Sequence, residues 1–480
     1  MTTLKHTPFL LLALACEPIA VHAQVQIGQN ILEELTGDNI DMSVSMPDAY
    51  TIAIGAPHNY VGFNNAGHVR VYSWNGSGWL QKGLDIDGEA PGDRSGWCVS
   101  MPDANTVAIG APNNGTGGSL AGHVRVYSWN GTAWMQKGLD IDGEATSDNS
   151  GKSLSMPDAN TVAIGASQND GNGSNAGHVR VYGWNGSAWL QKGADIDGEA
   201  AGDLSGKSLS MPDANTVAIG ATNNSGGANY AGHVRVYGWS GSAWVQKGAD
   251  IDGEAAQDGS GWSLSMPDVN TVAIGTPANA GNGSWAGHVR VYGWDGSAWV
   301  QKGMDIDGAG FDDQSGVSVS MPNANTIAIG ANFVPLNGRV RVYAWYGSAW
   351  VQLGLDIAPQ EGGNFGWSVS MPDANTLAIG ATGNAVQVYS IINTLGILDN
   401  TSGTQPMVSP NPTKGKVAVD LGSDHTDVTV VVRNILGQET LRKTYASANR
   451  LEICLEGDAG VYLLEITSND KRAVVRVLKE

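Results

Sequence analysis

Four carboxylates carry the first hint of chemistry. In the stretch "DIDGEAPGD", Asp85, Asp87, Glu89 and Asp93 stand at relative positions 1, 3, 5 and 9. The pattern returns at 140–148 as Asp140, Asp142, Glu144 and Asp148, recurs at 195–203 and 250–258, and degrades at 305–313. Alternating carboxylates in a glycine-containing loop can converge on Ca2+, which takes 6–8 oxygen ligands. The spacing matches the usual calcium loop only in part, because glycine comes at position 4 and no Glu follows at 12. The competing reading is a solvated turn whose Asp side chains cap backbone amides while the Ile is buried.

Other polar residues lose their catalytic look once the chain is aligned on itself. His68, His123, His178, His233 and His288 fall at one equivalent position, and Arg70, Arg125, Arg180, Arg235, Arg290 and Arg341 at another. A catalytic group is needed once, whereas a residue present in every unit serves the unit, here as a buried polar group satisfied between neighbours. The sequence has no unique Ser/His/Asp arrangement, no HExxH, no metal-type Cys/His cluster and no phosphate loop. A non-enzyme is therefore expected. An active site would need unit-specific carboxylates near a common axis, and the sixth unit, which loses the His and carries Asp312-Asp313, is where to look.

A third set is aromatic. The most variable segments are "PHNYVGFNNA" (57–66), "PNNGTGGSLA" (112–121), "SQNDGNGSNA" (167–176), "TNNSGGANYA" (222–231), "PANAGNGSWA" (277–286) and "NFVPLN" (332–337). One equivalent position in them holds Asn65, Leu120, Asn175, Tyr230 and Trp285. Drift explains variation, but large apolar groups at loop tips usually need a reason. Tyr60, Phe63, Leu120, Tyr230, Trp285 and Phe333 are therefore candidate anchors for a glycan or protein ligand.

These residues need a scaffold, and the repeat supplies it. "SMPDANTVAIGAP"-like blocks place Met at 46, 101, 156, 211, 266, 321 and 371, five intervals of 55 residues and one of 50. Each unit has four β-patterned runs, in the second "WCVSM" (97–101), "NTVAIGA" (105–111), "GHVRVYSW" (122–129) and "AWMQKG" (133–138). Asn75-Gly76, Asn130-Gly131, Asn185-Gly186 and Asp295-Gly296 supply tight hairpin turns between the third and fourth runs. Four antiparallel strands repeated seven times predict an all-β, seven-bladed β-propeller. A solenoid would need capping repeats, and none is visible. The seventh unit lacks its fourth run, while "VQIGQNI" (25–31) matches the end of that run in "LQKGLDI" (80–86). An N-terminal strand is thus expected to close the last blade and remove its open edge. In such a ring the variable 2–3 loops and the acidic 4–1′ loops emerge on one face.

Composition narrows the setting. The 480 residues carry a net charge of −20 with only 15% charged residues, which disfavours nucleic acid as a partner. Residues 1–23 read as a signal peptide, cleaved after Ala23 or after Ala15, and no later run is long enough to span a bilayer. Cys98 and Cys454 fall in different domains, so no disulfide framework is expected.

The block "SG…SLSMPDANTVAIGAP…GHVRVY" resembles the FG-GAP repeat of integrin α-subunit propellers, and the seventh unit even reads Phe365-Gly366. That family's calcium units carry a longer Asp-rich loop between the first two strands. Here the loop is only "PDAN", so its calcium site does not transfer. The resemblance also implies partner recognition on the face of the 2–3 loops. The tail, with "SPNPTKGKVAVDL" (409–421), "VRNILGQET" (432–440), "GVYLLEI" (460–466) and "RVLKE" (476–480), resembles the type A C-terminal sorting domain of type IX secretion cargo from Gram-negative Bacteroidota. It implies passage through the outer-membrane secretion machinery, and its strands predict a small C-terminal β-sandwich.

The resulting organisation is a signal peptide (1–23), an FG-GAP-like propeller (24–392), a linker (393–408) and the sorting domain (409–480). The expected function is a secreted or surface-displayed adhesion or recognition protein. Its ligand would be a glycan or protein, and Ca2+ is an open cofactor. A surface spacer without a ligand is the alternative, and a glycan-active enzyme a more distant one.

Overall fold

The computed structural model describes residues 23–32, 43–58, 65–332, 338–359, 364–381, 385–392, 407–409, 413–434, 439–455, 457, 460–468 and 471–479. Tyr60, Phe63 and Phe333 lie outside the described residues. Gln24–Ile392 packs as one compact unit, and the chain from Asn393 onward belongs to a second. Among the described residues every regular element is a strand.

Seven sheets resembling propeller blades make up the first unit. In the second, Cys98–Asp103, Thr106–Ala111, His123–Trp129 and Trp134–Gln136 pair antiparallel in sequence order. The second strand of each sheet is buried along its whole length, as in Thr106–Ala111, because sheets cover it on both faces. That explains its unbroken apolar run. The outer edge differs from expectation. It is split, with Ile141–Asp142 forming a separate two-residue strand on His123–Val124, so most sheets have five strands. The chain bulges between the two pieces at Gly138, whose φ of +83° suits glycine and whose missing side chain leaves room for Trp184 of the next unit.

The repeated "SxSM" run links the sheets. The Ser100 hydroxyl accepts a hydrogen bond from the Met156 amide of the next unit at 3.0 Å. The equivalent bond joins every successive pair, and Ser370 of the seventh unit accepts from Met46 of the first at 2.9 Å. The first strands accordingly contact one another in a cycle, Ser43–Asp48 touching both Cys98–Asp103 and Phe365–Asp373.

The N-terminal fragment sits where the missing run belongs. Ala23–Gln26 pairs with Ala385–Ile392 at the outer edge of the seventh sheet, and Ile31–Leu32 pairs with Val386 and Ala385. Gly28 takes the place of Gly83, and the indole of Trp79 donates to the Ile27 carbonyl at 3.1 Å as Trp134 does to Lys82 at 2.7 Å.

Among the described residues the second unit is one hydrogen-bonded, five-stranded antiparallel sheet. Its long hairpin, Lys416–Asn434 with Glu439–Cys454, shifts register between Asp420 and His425. Both halves of that hairpin contribute to one core, through Val417 and Val419 on one side and Val430 and Val432 on the other. Cys98 and Cys454 are free thiols.

Candidate ligand-binding face

The acidic loops return to the sheets in a way their spacing does not show. Asp85 accepts from Arg70 at 2.9 and 3.1 Å and from Gln81 at 2.7 Å, and these bonds hold its carboxyl below the usual range against the opposing effect of burial. Asp87 has an exposed side chain, and its carbonyl accepts from Arg125 of the next unit at 2.7 Å. Glu89 reaches the same unit, 3.5 Å from Arg125 and 3.9 Å from His123. Asp93 is buried, accepting from the Ala90 amide at 3.0 Å and from Asn114 at 2.9 Å. Asp140, Asp142, Glu144 and Asp148 repeat the pattern against Gln136, Arg180 and Asn169. Within one loop Glu89 and Asp93 thus turn to different partners, whereas Asp85 and Asp87 stay near each other beside His68.

Three-residue groups do form: His68, Asp85 and Asp87 gather within the first unit, and the others join successive loops. Glu89, His123 and Asp140 bring one donor atom each within 4.8 Å of the others, and the units that follow repeat the arrangement. An imidazole nitrogen, two carboxylates and an adjacent guanidinium do not fit Ca2+, which wants many oxygens. The arrangement suits an inter-sheet polar network at the surface of the ring, with the imidazole buried, Asp140 half-buried and Glu89 exposed. Arg125 also lies over the Tyr127 ring, with Cζ 5.6 Å from its centroid. Burial, with the neighbouring arginine, holds His123, His178 and His233 below the ordinary imidazole pKa despite their carboxylates, and burial does the same for His288.

The sixth unit swaps partners. Arg339 stands at the His position and binds Asp313 at 2.8 Å and Asp356 at 2.7 Å, while Arg341 binds Asp313 at 2.9 Å. Asp313 itself is buried and doubly paired with cations.

The loop-tip residues are displayed on this scaffold. Leu120, Tyr230 and Trp285 are 42%, 50% and 53% exposed. Exposure alone does not single them out, since Leu84, Leu139, Met304 and Leu355 on the outer edge are more exposed. Backbone conformation does. Asn65, Leu120, Asn175, Tyr230 and Trp285 all have φ between 52° and 57°, the left-handed region. The acidic loop fixes it: the carbonyls of Leu120, Tyr230 and Trp285 accept from the amides of Asn149, Gly259 and Gln314 at 3.1, 3.2 and 2.8 Å. Asn suits this conformation, whereas other side chains with a Cβ pay about 1–2 kcal/mol for it. The position is thus constrained, and three units occupy it with residues the backbone disfavours.

Two features escape the spacing analysis. Six tryptophan pairs form, such as Trp129–Trp134 with centroids 5.4 Å apart. Five of them receive Lys82 or its equivalents from the preceding unit, and Trp74–Trp79 meets Ile27 at that position instead. The residue after the Ser-Gly or Phe-Gly step at the start of each inner strand varies as much as the loop tip: Trp97, Lys152, Lys207, Trp262, Val317 and Trp367. Overlaying the repeats at that column gives the signal.

Residues 407–480 match a family described as the secretion system C-terminal sorting domain. The tail is a type IX sorting domain. It directs secretion or cell-surface export of the kind found in Bacteroidota and implies contact with the type IX machinery. No helix among the described residues is long and apolar enough to cross a membrane. No curated protein matches the chain. Similar solved structures include the WD40 β-propeller domain of Doa1 (12% identity, 76% of this chain and 96% of that one, TM-score 0.43). The β-propeller domain of the Trilobed protease from Pyrococcus furiosus is similar at 10% identity over 75% and 95% of the two chains, TM-score 0.42. A putative 6-phosphogluconolactonase from Bacteroides uniformis is similar at 10% identity over 66% and 85%, TM-score 0.47.

Proposed function

We propose that this chain is an exported, non-enzymatic recognition protein built on a closed, seven-bladed, FG-GAP-like propeller. The face formed by its 2–3 and 4–1′ loops meets an extracellular glycan or protein. The observation that carries the reading is the placement of Leu120, Tyr230 and Trp285, exposed and left-handed, on loops that the acidic segments hold rigid. Backbone strain and apolar exposure at one position are two costs, and binding offsets both. The sorting tail supports an extracellular setting. The paired state of Asp313 supports a non-catalytic sixth unit. Screening the purified protein on a glycan array and on matrix-type proteins is expected to give saturable binding to at least one. A blank result on both would return the protein to a spacer role.

A further inference from the structure

The inner-strand column noted above brings unlike residues of successive units into contact. Lys207 Nζ lies 4.5 Å from the ring centroid of Trp262 in the next unit. Arg94 Cζ lies 5.6 Å from the ring of Trp97, whose edge His58 meets with centroids 6.4 Å apart. Lys152 occupies the same column in the unit between those of Trp97 and Lys207, whose inner strands flank its own; burial first and then the neighbouring cation lower the pKa of Lys152 and of Lys207.

Three cations are thus gathered on consecutive inner-strand starts of a chain whose net charge is −20. Among the described residues neither ammonium group has a carboxylate or hydrogen-bond partner, and no acid offsets the burial that lowers their pKa values. Lys207 is brought to about 8, by burial first and by Lys152 second. Elsewhere in the ring the lysines are engaged: Lys82, Lys137, Lys192, Lys247 and Lys302 each bond a carbonyl and an Asn side chain. The fold does not need charge in this column, because Val317 fills it in the sixth unit. Unpaired, partly desolvated cations cost stability unless a ligand supplies the counter-charge.

We propose that Arg94, Lys152 and Lys207, flanked by Trp97 and Trp262, form a binding site for the carboxylate or sulfate group of an acidic saccharide. The cations take the anionic group, and the indole faces pack on the apolar C–H face of the sugar ring. The inference deepens the recognition reading above and rests on it.

Calorimetric titration of the whole protein with oligogalacturonate, a sulfated chondroitin oligosaccharide, a neutral cello-oligosaccharide and poly-glutamate tests it. Binding is expected for the carboxylated or the sulfated sugar, and the stronger of the two identifies the group. In the pair Lys152→Gln with Lys207→Gln that binding is expected to weaken by roughly 100-fold, because each lysine supplies one charge-assisted hydrogen bond. The thermal midpoint of the variant should be equal or higher, which separates loss of the site from loss of the fold. Unchanged affinity in the variant, equal binding of the neutral sugar, or tighter binding of poly-glutamate would each overturn the proposal. No acidic sugar bound, with array binding intact, overturns this site and leaves the recognition reading standing. No binding in either assay removes both.

Discussion

The N-terminal strand offers a sharp test because the repeat provides its own control. Gly28 has φ +75°, and a Cβ there would lie 2.4 Å from Cζ3 and 2.9 Å from Cη2 of Trp74. Gly83, inside the repeat, has φ +85° and a Cβ position 2.7 Å from Cζ3 of Trp129. Alanine at either site pays about 1–2 kcal/mol for the left-handed backbone. Displacing a packed indole adds about 1–3 kcal/mol. Gly28→Ala and Gly83→Ala should therefore each destabilise by about 2–5 kcal/mol, a large part of a typical domain stability of about 5–15 kcal/mol. Urea unfolding followed by tryptophan fluorescence reads both, since each substitution touches a Trp pair. Equal losses are expected. A Gly28→Ala protein that unfolds like the parent, beside a weakened Gly83→Ala, would refute the packing of the N-terminal strand as part of the ring.

Two further outcomes follow from the charge network. His123, His178, His233 and His288 are held below the ordinary value of 6.5 in the folded chain, so the unfolded chain binds protons first as pH falls. Stability should be full above that value and decline below it, by about 1.4 kcal/mol per histidine for each pH unit separating the two states; urea midpoints that stay level from pH 7.5 to 5.5 would contradict buried neutral imidazoles. Because each carboxylate group includes an imidazole and only two acids, too few oxygens for Ca2+, millimolar Ca2+ and chelator should give the same thermal midpoint, and a calcium-dependent rise would show that the loops bind the ion.

How much of this was legible depended on whether a contact lies within a unit or between units. The seven-fold repeat, the strand runs and the detached "VQIGQNI" segment were readable because each has an internal copy to compare with. The split outer edge was not, since Ile141–Asp142 re-pairs with its own third strand only after a bulge that Trp184 of the next unit requires. The acidic loop was legible only in part for the same reason. Its spacing left open an ion or a turn that caps backbone amides; Asp93 does accept from the Ala90 amide, but the reach of Glu89 to the following His123 and of Asp93 to Asn114 has no trace within one unit. The tryptophans read only as strand residues in "GHVRVYSW" and "AWMQKG", whereas in the fold Trp134 donates to Lys82, 52 residues earlier. Among the candidate anchors the left-handed backbone of Leu120, Tyr230 and Trp285 had a sequence trace, the Asn at the same position in the first and third units. Tyr60, Phe63 and Phe333 lie outside the described residues.

The claim that one face of the ring does the recognising is tested most directly by comparing two sets of variants on the strongest array ligand. One set carries Leu120→Ser, Tyr230→Ser and Trp285→Ser on the 2–3 loops. The other carries Thr132→Lys, Ser187→Lys and Ser297→Lys on the hairpin turns at the opposite strand ends. Loss of binding in the first set alone is the predicted result. Retention by the first set, with loss in the second, would place the binding surface on the other side of the molecule and contradict the account.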